Sequence, residues 1–510
     1  MHIGILGAAA AHGYTMTNDG EHKLQGEVSL QKKLSPLNVW AIAFGCIIGW
    51  GSFVNPGKKF LHNSGVAGTA IAMACGALIM IVIAFSYAYM VPKYPRAGGE
   101  FYFTKACFGN HCAFFCGWFL VAAYLTNVPM NSTAIGLIVD GLFGPILKFG
   151  FHYSVVGYDV YAGEVLLAAA ILVSFGFLNI RGVKVAGCAQ TVLAVGLVTS
   201  VLTLTFAALT SPYTRVQNLA PLWGFDKAAA IRDFEQGVYS SAEIYAHSGA
   251  NAIVASILST LAIAPWAFVG FDTIPQAVEE FRFSYRKVSG IMIVAIVFGC
   301  FVYVTNNTIA AAALSNWPDL IVHSDETPWL LLTAAQRLLG TPGKVLVGTA
   351  VSCAVLSGIM GFYIASSRLM YAMAQDGFLP KAFAQIDARY GTPKKAIQFC
   401  MAISLAGPIL GREALGWFLD MSAIGASVGF GFTCLSALKT MDRYSEGTSF
   451  LTWMSRLGSV FSGIFIVLQI VPIPGLESVR FCRESYLLLL VWIAMGAGFY
   501  FFRLRGERMR

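Results

Sequence analysis

The chain alternates long apolar runs with short polar intervals. Twelve runs are placed at roughly 38–57, 67–91, 113–143, 163–180, 185–210, 251–280, 288–314, 343–374, 396–411, 414–438, 456–473 and 485–502. A helix needs about 20 mainly apolar residues to cross the hydrocarbon core of a bilayer. The pattern therefore predicts an all-α integral membrane protein of twelve transmembrane helices, numbered here segments 1 to 12. Segment 9 is the shortest and holds Pro408, a residue that ends or kinks a helix.

Two segments are interrupted. Segment 1 reads Gly45-Cys46-Ile47-Ile48-Gly49-Trp50-Gly51-Ser52-Phe53 and runs on to Asn55-Pro56-Gly57. Each glycine in a helix interior costs about 1 kcal/mol relative to alanine. Lipid cannot hydrogen-bond the backbone that a break exposes, so such a break survives where protein encloses it around a cavity. A glycine-interrupted membrane helix reads as a place where bare backbone meets a polar ligand, or as close helix packing through small residues. Segment 6 favours the first reading. There Ala264-Pro265-Trp266-Ala267-Phe268-Val269-Gly270-Phe271-Asp272 sets a proline, a glycine and a carboxylate inside one apolar run that ends at Glu279-Glu280. An acid at that depth is costly and marks a functional position, and Asp272 also reads as the cap of a helix restarting after the break.

Breaks five segments apart are what two inverted repeats of five helices predict, with the ligand at their interface. The expected division is a cytoplasmic tail 1–34, a first repeat 35–211, an extracellular loop 212–250, a second repeat 251–440, and segments 11 and 12 with a basic tail over 441–510.

Composition agrees with the pattern. The 510 residues are 57% hydrophobic and 12% charged, against about 25% charged in soluble domains. The expected surroundings are a lipid bilayer, and no nucleic-acid partner is expected. The net charge of +8 is read by position: 22 Lys and Arg fall on the side of the N-terminus and 11 on the other, with Arg368 inside segment 8. Basic residues gather on the cytoplasmic side, so both termini are expected there, in a multi-pass protein of the cell membrane. The basic C-terminal tail reads as a topology anchor or as a site for lipid headgroups or a partner. Met1–Ala11 is apolar but has no basic flank, which makes it a poor signal peptide. Cys107, His111, Cys112 and Cys116 cluster without a usual zinc spacing, so no metal is assigned.

Four motifs in order resemble the amino acid–polyamine–organocation permease superfamily. Ile47-Ile48-Gly49-Trp50-Gly51-Ser52-Phe53 with Pro56-Gly57 resembles its first-helix signature. Tyr94-Pro95-Arg96-Ala97-Gly98-Gly99-Glu100 resembles the loop after helix two, and Phe268-Val269-Gly270-Phe271-Asp272 with Glu279-Glu280 the sixth-helix motif. Ser367-Arg368-Leu369-Met370-Tyr371-Ala372-Met373-Ala374-Gln375-Asp376-Gly377-Phe378-Leu379-Pro380, then Gly391-Thr392-Pro393, resembles the end of helix eight and its loop. The resemblance spans nearly the whole chain. It implies a leucine-transporter-like 5+5 fold with broken helices 1 and 6, alternating access, and amino acids, polyamines or related amines as substrates.

The residues suit an amino acid at the breaks. The half-helix starting near Trp50 offers free N–H groups of Gly51 and Ser52 and a positive dipole end to a carboxylate, and glycine at 49 and 51 removes the Cβ from its path. Carbonyls around Cys46, Ile47 and Ile48, and from Trp266 through Phe268 to Val269, are candidates for the ammonium. Ser52 replaces the family's usual isoleucine and reads as a helix cap or a further carboxylate contact. The resemblance makes Trp266 an aromatic that closes over substrate, by cation–π attraction to an ammonium, and Phe362 a pocket aromatic; each also reads as core packing. Tyr124 and Asn127, beside Pro129, read as pocket groups or as interhelical hydrogen bonds. Asp272, Trp266, Arg368 and Asp376 are the gating or coupling candidates. Arg368 and Asp376, eight residues apart, share a face but are too distant to pair, which suggests ties to neighbouring loops.

No cofactor is expected. Some proton-coupled relatives carry a lysine in helix five, where this chain has Gln190-Thr191-Val192. Exchange without an ion and proton coupling through Asp272 both stay open; sodium, for which Ser366 and Ser367 are the hydroxyls in question, is not established. The expected function is a secondary active amino acid permease, exchanger or proton symporter. A polyamine or amine permease and a non-transporting sensor are the alternatives. No nucleophile–base pair or phosphate loop suggests an enzyme, and no accessory subunit or oligomeric state is assigned.

Overall fold

Glycine and proline decide where the helices stop. In the computed structural model, which describes residues 30–236, 242–323, 329–473 and 480–508 and two short strands at Thr15–Met16 and His22–Lys23, segment 1 begins as the helix Pro36–Ile47. Ser35 and Asn38 close a capping box at its start. The chain is extended at Ile48 (φ −95°, ψ 95°) and resumes helix at Gly51. From there helical residues run to Lys93, bent at Gly65 (φ 63°), so the second half of segment 1 and all of segment 2 form one bent rod.

Segment 3 is the helix Glu100–Phe143, longer than its apolar run because it takes in the polar stretch before it, with a bend at Gly109 (φ 81°). Segments 4 and 5 are Ala162–Ile180 and Val183–Thr210. Segment 6 is the most divided. It comprises the helices Ala250–Leu261 and Ala264–Phe268, an extended residue at Val269, Gly270 at φ 145°, then tight 3-10 turns at Phe271–Thr273 and Pro275–Glu280. Segments 7, 8 and 9 are Val288–Ala312, Thr341–Gln375 and Lys394–Ser404, the last followed by a turn of helix, Ala406–Ile409, around Pro408. Segments 10 to 12 are Ala414–Tyr444, Ser449–Ile470 and Arg483–Arg508.

The helices are not quite the whole fold. An antiparallel hairpin, His152–Val155 with Tyr158–Tyr161, precedes segment 4, and the apolar pattern did not anticipate it. Among the described residues ten helices are long and apolar enough to cross a membrane, which makes this a multi-pass membrane protein. Burial sorts them. The apolar windows of segments 3 and 10 are 83% and 78% buried, those of segments 11 and 12 only 22% and 17%. Segment 3 packs against both segments 8 and 10, the first half of segment 1 packs on segments 5, 7 and 8, and the middle of segment 6 packs on segments 2 and 10. The expected N-terminal tail lies mostly outside the described residues, but its last residues are docked: Leu34 pairs with Phe281 in a short parallel bridge, and Leu30 packs beside Ala97 and Tyr371.

Candidate functional site

The two breaks touch. A Cβ on Gly270 would stand 2.7 Å from the Ile47 amide nitrogen and 2.8 Å from the Ala43 carbonyl oxygen. Only glycine takes that φ and that approach without strain. At the segment-1 break the amides of Gly49, Trp50, Gly51 and Ser52 have no hydrogen-bond acceptor among the described residues, while Phe53 and Val54 both donate to the Trp50 carbonyl, at 3.0 and 3.1 Å. The expected bare donors are therefore present. Ser52 does not cap them: its hydroxyl turns back to donate to the Gly49 carbonyl at 3.1 Å. The carbonyls are less free than expected. That of Trp266 accepts the Val269 N–H at 3.2 Å, and that of Ile47 accepts the Tyr303 hydroxyl at 3.4 Å.

A small cavity lies between the breaks. Segment 1 lines it with Cys46, Ile47, Gly49 and Trp50. Segment 3 adds Asn127, Met130 and Asn131, segment 6 Trp266 and segment 7 Tyr303. Of the expected residues, Ile47, Gly49, Trp50, Asn127 and Trp266 reach this cavity. Ile48, Gly51, Ser52, Phe268, Val269, Tyr124 and Phe362 are buried but are not among its lining residues. Gly51 was expected to leave room for a carboxylate; instead the Trp266 ring fills the space where its Cβ would be. The Trp50 and Trp266 rings lie 6.2 Å apart at 54°, and the second indole lies against Gly51 at the break. Asn127 donates to the Ala123 carbonyl and the Ser422 hydroxyl, at 2.7 and 2.6 Å.

Cys46, expected through its carbonyl, also lines the cavity, whereas Met130, Asn131 and Tyr303 were not anticipated. Asn131 follows Asn127 by four residues on one helix face, a signal present in the sequence and not used. Tyr303 sits in an unbroken helix and carried none.

Beside the cavity a hydrogen-bonded chain joins two fully buried acids. Asp272 accepts the Gly270 N–H at Oδ1 (2.7 Å) and the Tyr124 hydroxyl at Oδ2 (3.0 Å). It satisfies the backbone at the break, but no regular helix restarts there for it to cap. The Tyr124 hydroxyl also lies 3.4 Å from Glu100 Oε1, which accepts from Tyr87 at 2.8 Å, while Gln276 donates to Glu100 Oε2 at 2.5 Å. Tyr124 thus links two carboxylates, and Phe362 stacks on it at 6.5 Å. Glu100, read from the sequence as loop, is the first residue of the segment-3 helix.

Arg368 and Asp376 part company as their spacing required. Arg368 is fully buried and donates from Nε and Nη2 to one oxygen of Glu280, at 3.1 and 3.0 Å. Asp376 pairs with Lys105 at 2.7 Å. Gln190 of segment 5 donates its amide to the Ala41 carbonyl of segment 1 (3.1 Å) and the Ser357 hydroxyl of segment 8 (2.6 Å). A neutral side chain therefore ties three helices where a lysine was looked for.

Membrane-length helices packed around two broken segments, with a small cavity where the breaks meet, define a multi-pass membrane protein with an internal cavity between interrupted spans. The chain belongs to the amino acid permease family, whose model matches residues 34–500. It is 24% identical over 447 residues to a vacuolar cationic amino acid transporter of Arabidopsis thaliana, covering 84% of this chain and 65% of that one. It is 23% identical over 488 residues to a branched-chain amino acid permease of Bacillus subtilis, covering 93% and 94%. It is 26% identical over 376 residues to the human large neutral amino acids transporter small subunit 2, covering 73% and 63%. The chain thus spans just under two thirds of the plant and human relatives and nearly all of the bacterial one.

Proposed function

We propose that this protein carries amino acids across a membrane by alternating access, binding them between the breaks of segments 1 and 6. The observation that carries this reading is the contact of Gly270 with the Ala43–Ile47 backbone beside a cavity edged by unpaired amides. Backbone donors serve the part common to all amino acids and leave side chains to choose among them. Twelve spans in two inverted repeats, with both termini cytoplasmic, are the topology that goes with it; the matching breaks and the distribution of Lys and Arg support this. For coupling we favour exchange. Gln190, uncharged at any pH, bridges segments 1, 5 and 8, and both Asp272 oxygens already have donors.

Counterflow into proteoliposomes tests the proposal. Vesicles loaded with unlabelled L-amino acids should take up labelled L-leucine, and imposed proton or sodium gradients should not drive net accumulation. Binding without uptake would make the protein a sensor; gradient-driven accumulation would replace exchange by symport.

A further inference from the structure

Two residues that line the cavity each carry a buried polar atom without a partner among the described residues. Asn131 is 2% exposed; its amide nitrogen donates to the Asn127 carbonyl at 2.8 Å, but its Oδ1 accepts nothing. That oxygen lies 3.3 Å from where a Cβ on Gly49 would stand, at the mouth of the segment-1 break. Trp50 is 3% exposed, and its indole Nε1–H donates to nothing. A buried polar group left unpaired is costly, and native interiors hold few of them. Here one unpaired acceptor and one unpaired donor line the same small cavity.

The rest of the lining is uncharged. No carboxylate, lysine or arginine is among its residues. The two nearby acids are committed elsewhere, Asp272 to Gly270 and Tyr124, Glu100 to Tyr87 and Gln276.

Resting on the proposed site above, we infer that Asn131 Oδ1 accepts a hydrogen bond from the ammonium of the solute, that Trp50 Nε1–H donates to its carboxylate, and that the solute is a zwitterion with an uncharged, largely apolar side chain. The orphan acceptor and orphan donor match the two ends of an α-amino acid. Gly49 and Trp50, whose backbone amides are bare, line the same cavity, so further donors accompany the indole N–H. Ile47 and Met130 face the side chain with apolar surface, and a second positive charge would enter with no counter-charge. Burying an unpaired charge costs several kcal/mol.

Analogues lacking one end of leucine separate the two contacts. With the detergent-purified full chain, calorimetry is run with L-leucine, with 4-methylpentanoate, which lacks the ammonium, and with 3-methylbutylamine, which lacks the carboxylate. A hydrogen bond to a charged group contributes about 1.5–3 kcal/mol, roughly 10-fold to 150-fold in affinity. The wild type should bind leucine at least about tenfold more tightly than 4-methylpentanoate. Asn131→Leu should erase that ratio by weakening leucine alone. Trp50→Phe should weaken leucine and 4-methylpentanoate by the same factor and leave 3-methylbutylamine unchanged. L-arginine and 1,4-diaminobutane should bind at least about a hundredfold more weakly than leucine.

An unchanged leucine to 4-methylpentanoate ratio in Asn131→Leu overturns the ammonium assignment. If that variant fails to fold, Asn131→Asp keeps the shape and the acceptor and must keep or widen the ratio; a narrower one overturns the assignment equally. Arginine binding as tight as leucine removes the uncharged-side-chain class. Absence of binding or counterflow with every amino acid would instead overturn the proposed function itself, so the two failures are distinguishable.

Discussion

The two ends of the helical bundle are each held by an arginine, and the two arginines are held differently. At the end where residues 30–34 dock, Arg368 and Glu280 are both fully buried. The backbone closes over them: the amides of Lys33 and Leu34 donate to the Glu280 carbonyl at 2.8 and 2.9 Å, and Glu279 accepts the Ala97 N–H at 3.0 Å. At the opposite end Arg412 joins Asp140, at the close of segment 3, to Glu164, at the start of segment 4, with side chains 9–14% exposed. Tyr158 of the hairpin covers its guanidinium at 5.0 Å. The first tie is dry and shares a single carboxylate oxygen; the second touches water and spans two acids. Under the proposed alternating access, opening to each side in turn would break one tie at a time, and these two differ in what breaking them costs.

The largest effect should follow from breaking the dry one by halves. Glu280→Gln leaves the Arg368 guanidinium buried without a counter-charge, which is expected to destabilise the protein by about 3–5 kcal/mol. Replacing both partners together, Arg368→Met with Glu280→Leu, should recover most of that loss, because the desolvation cost of the pair disappears with it. Thermal unfolding of the detergent-purified protein measures both. A Glu280→Gln variant as stable as the wild type would show that this tie is not sealed from water.

The architecture around these ties was largely legible in the sequence, because membrane insertion forces apolar length and because Gly, Pro and an intramembrane Asp have few structural uses. Each apolar run carries a helix, while the short helices Lys227–Glu235, Trp317–Val322 and Leu330–Leu339 lie between runs. The misjudged start was that of segment 3, where the polar residues from Glu100 to Asn110 are helical. Their polarity reads as loop only while the partners of Glu100, supplied by Tyr87 and Gln276, are unknown. The site was half legible. Which backbone is bare follows from glycine spacing along the chain, whereas Tyr303, Met130 and Asn131 reach the cavity through packing between segments remote in sequence. The open space expected at Gly51 is taken up for the same reason: nothing along the chain says that the Trp266 ring lies against it.

In the proposed alternating-access cycle, movement between the two ends passes through the contact of the breaks. Gly270→Ala puts a Cβ against the Ile47 nitrogen and the Ala43 oxygen, both backbone atoms that cannot turn aside, at a φ of 145°. Strain of this kind costs about 1–3 kcal/mol per residue. Counterflow should fall by roughly tenfold or more with protein abundance preserved. Gly290→Ala is the control, since nothing lies within 4 Å of a Cβ there. Equal transport by the two variants would separate the breaks from the mechanism and leave the end ties as its only structural correlate.

The smallest effect is expected at the wetter tie, and its salt dependence sharpens the contrast. Asp140→Asn leaves Arg412 the Glu164 carboxylate at 2.6 Å, so no charge is stranded. Exposed or partly exposed pairs contribute about 0.2–1 kcal/mol, and that is the expected loss in unfolding experiments at low salt. Screening reaches a partly exposed pair far more than a buried one. Raising the ionic strength from about 0.01 M to about 1 M, which shortens the Debye length from about 30 to about 3 Å, should therefore shrink the Asp140→Asn effect and leave that of Glu280→Gln nearly unchanged. If both effects shrink together, water reaches Arg368 as readily as Arg412, and the difference in burial between the two ends has no energetic counterpart.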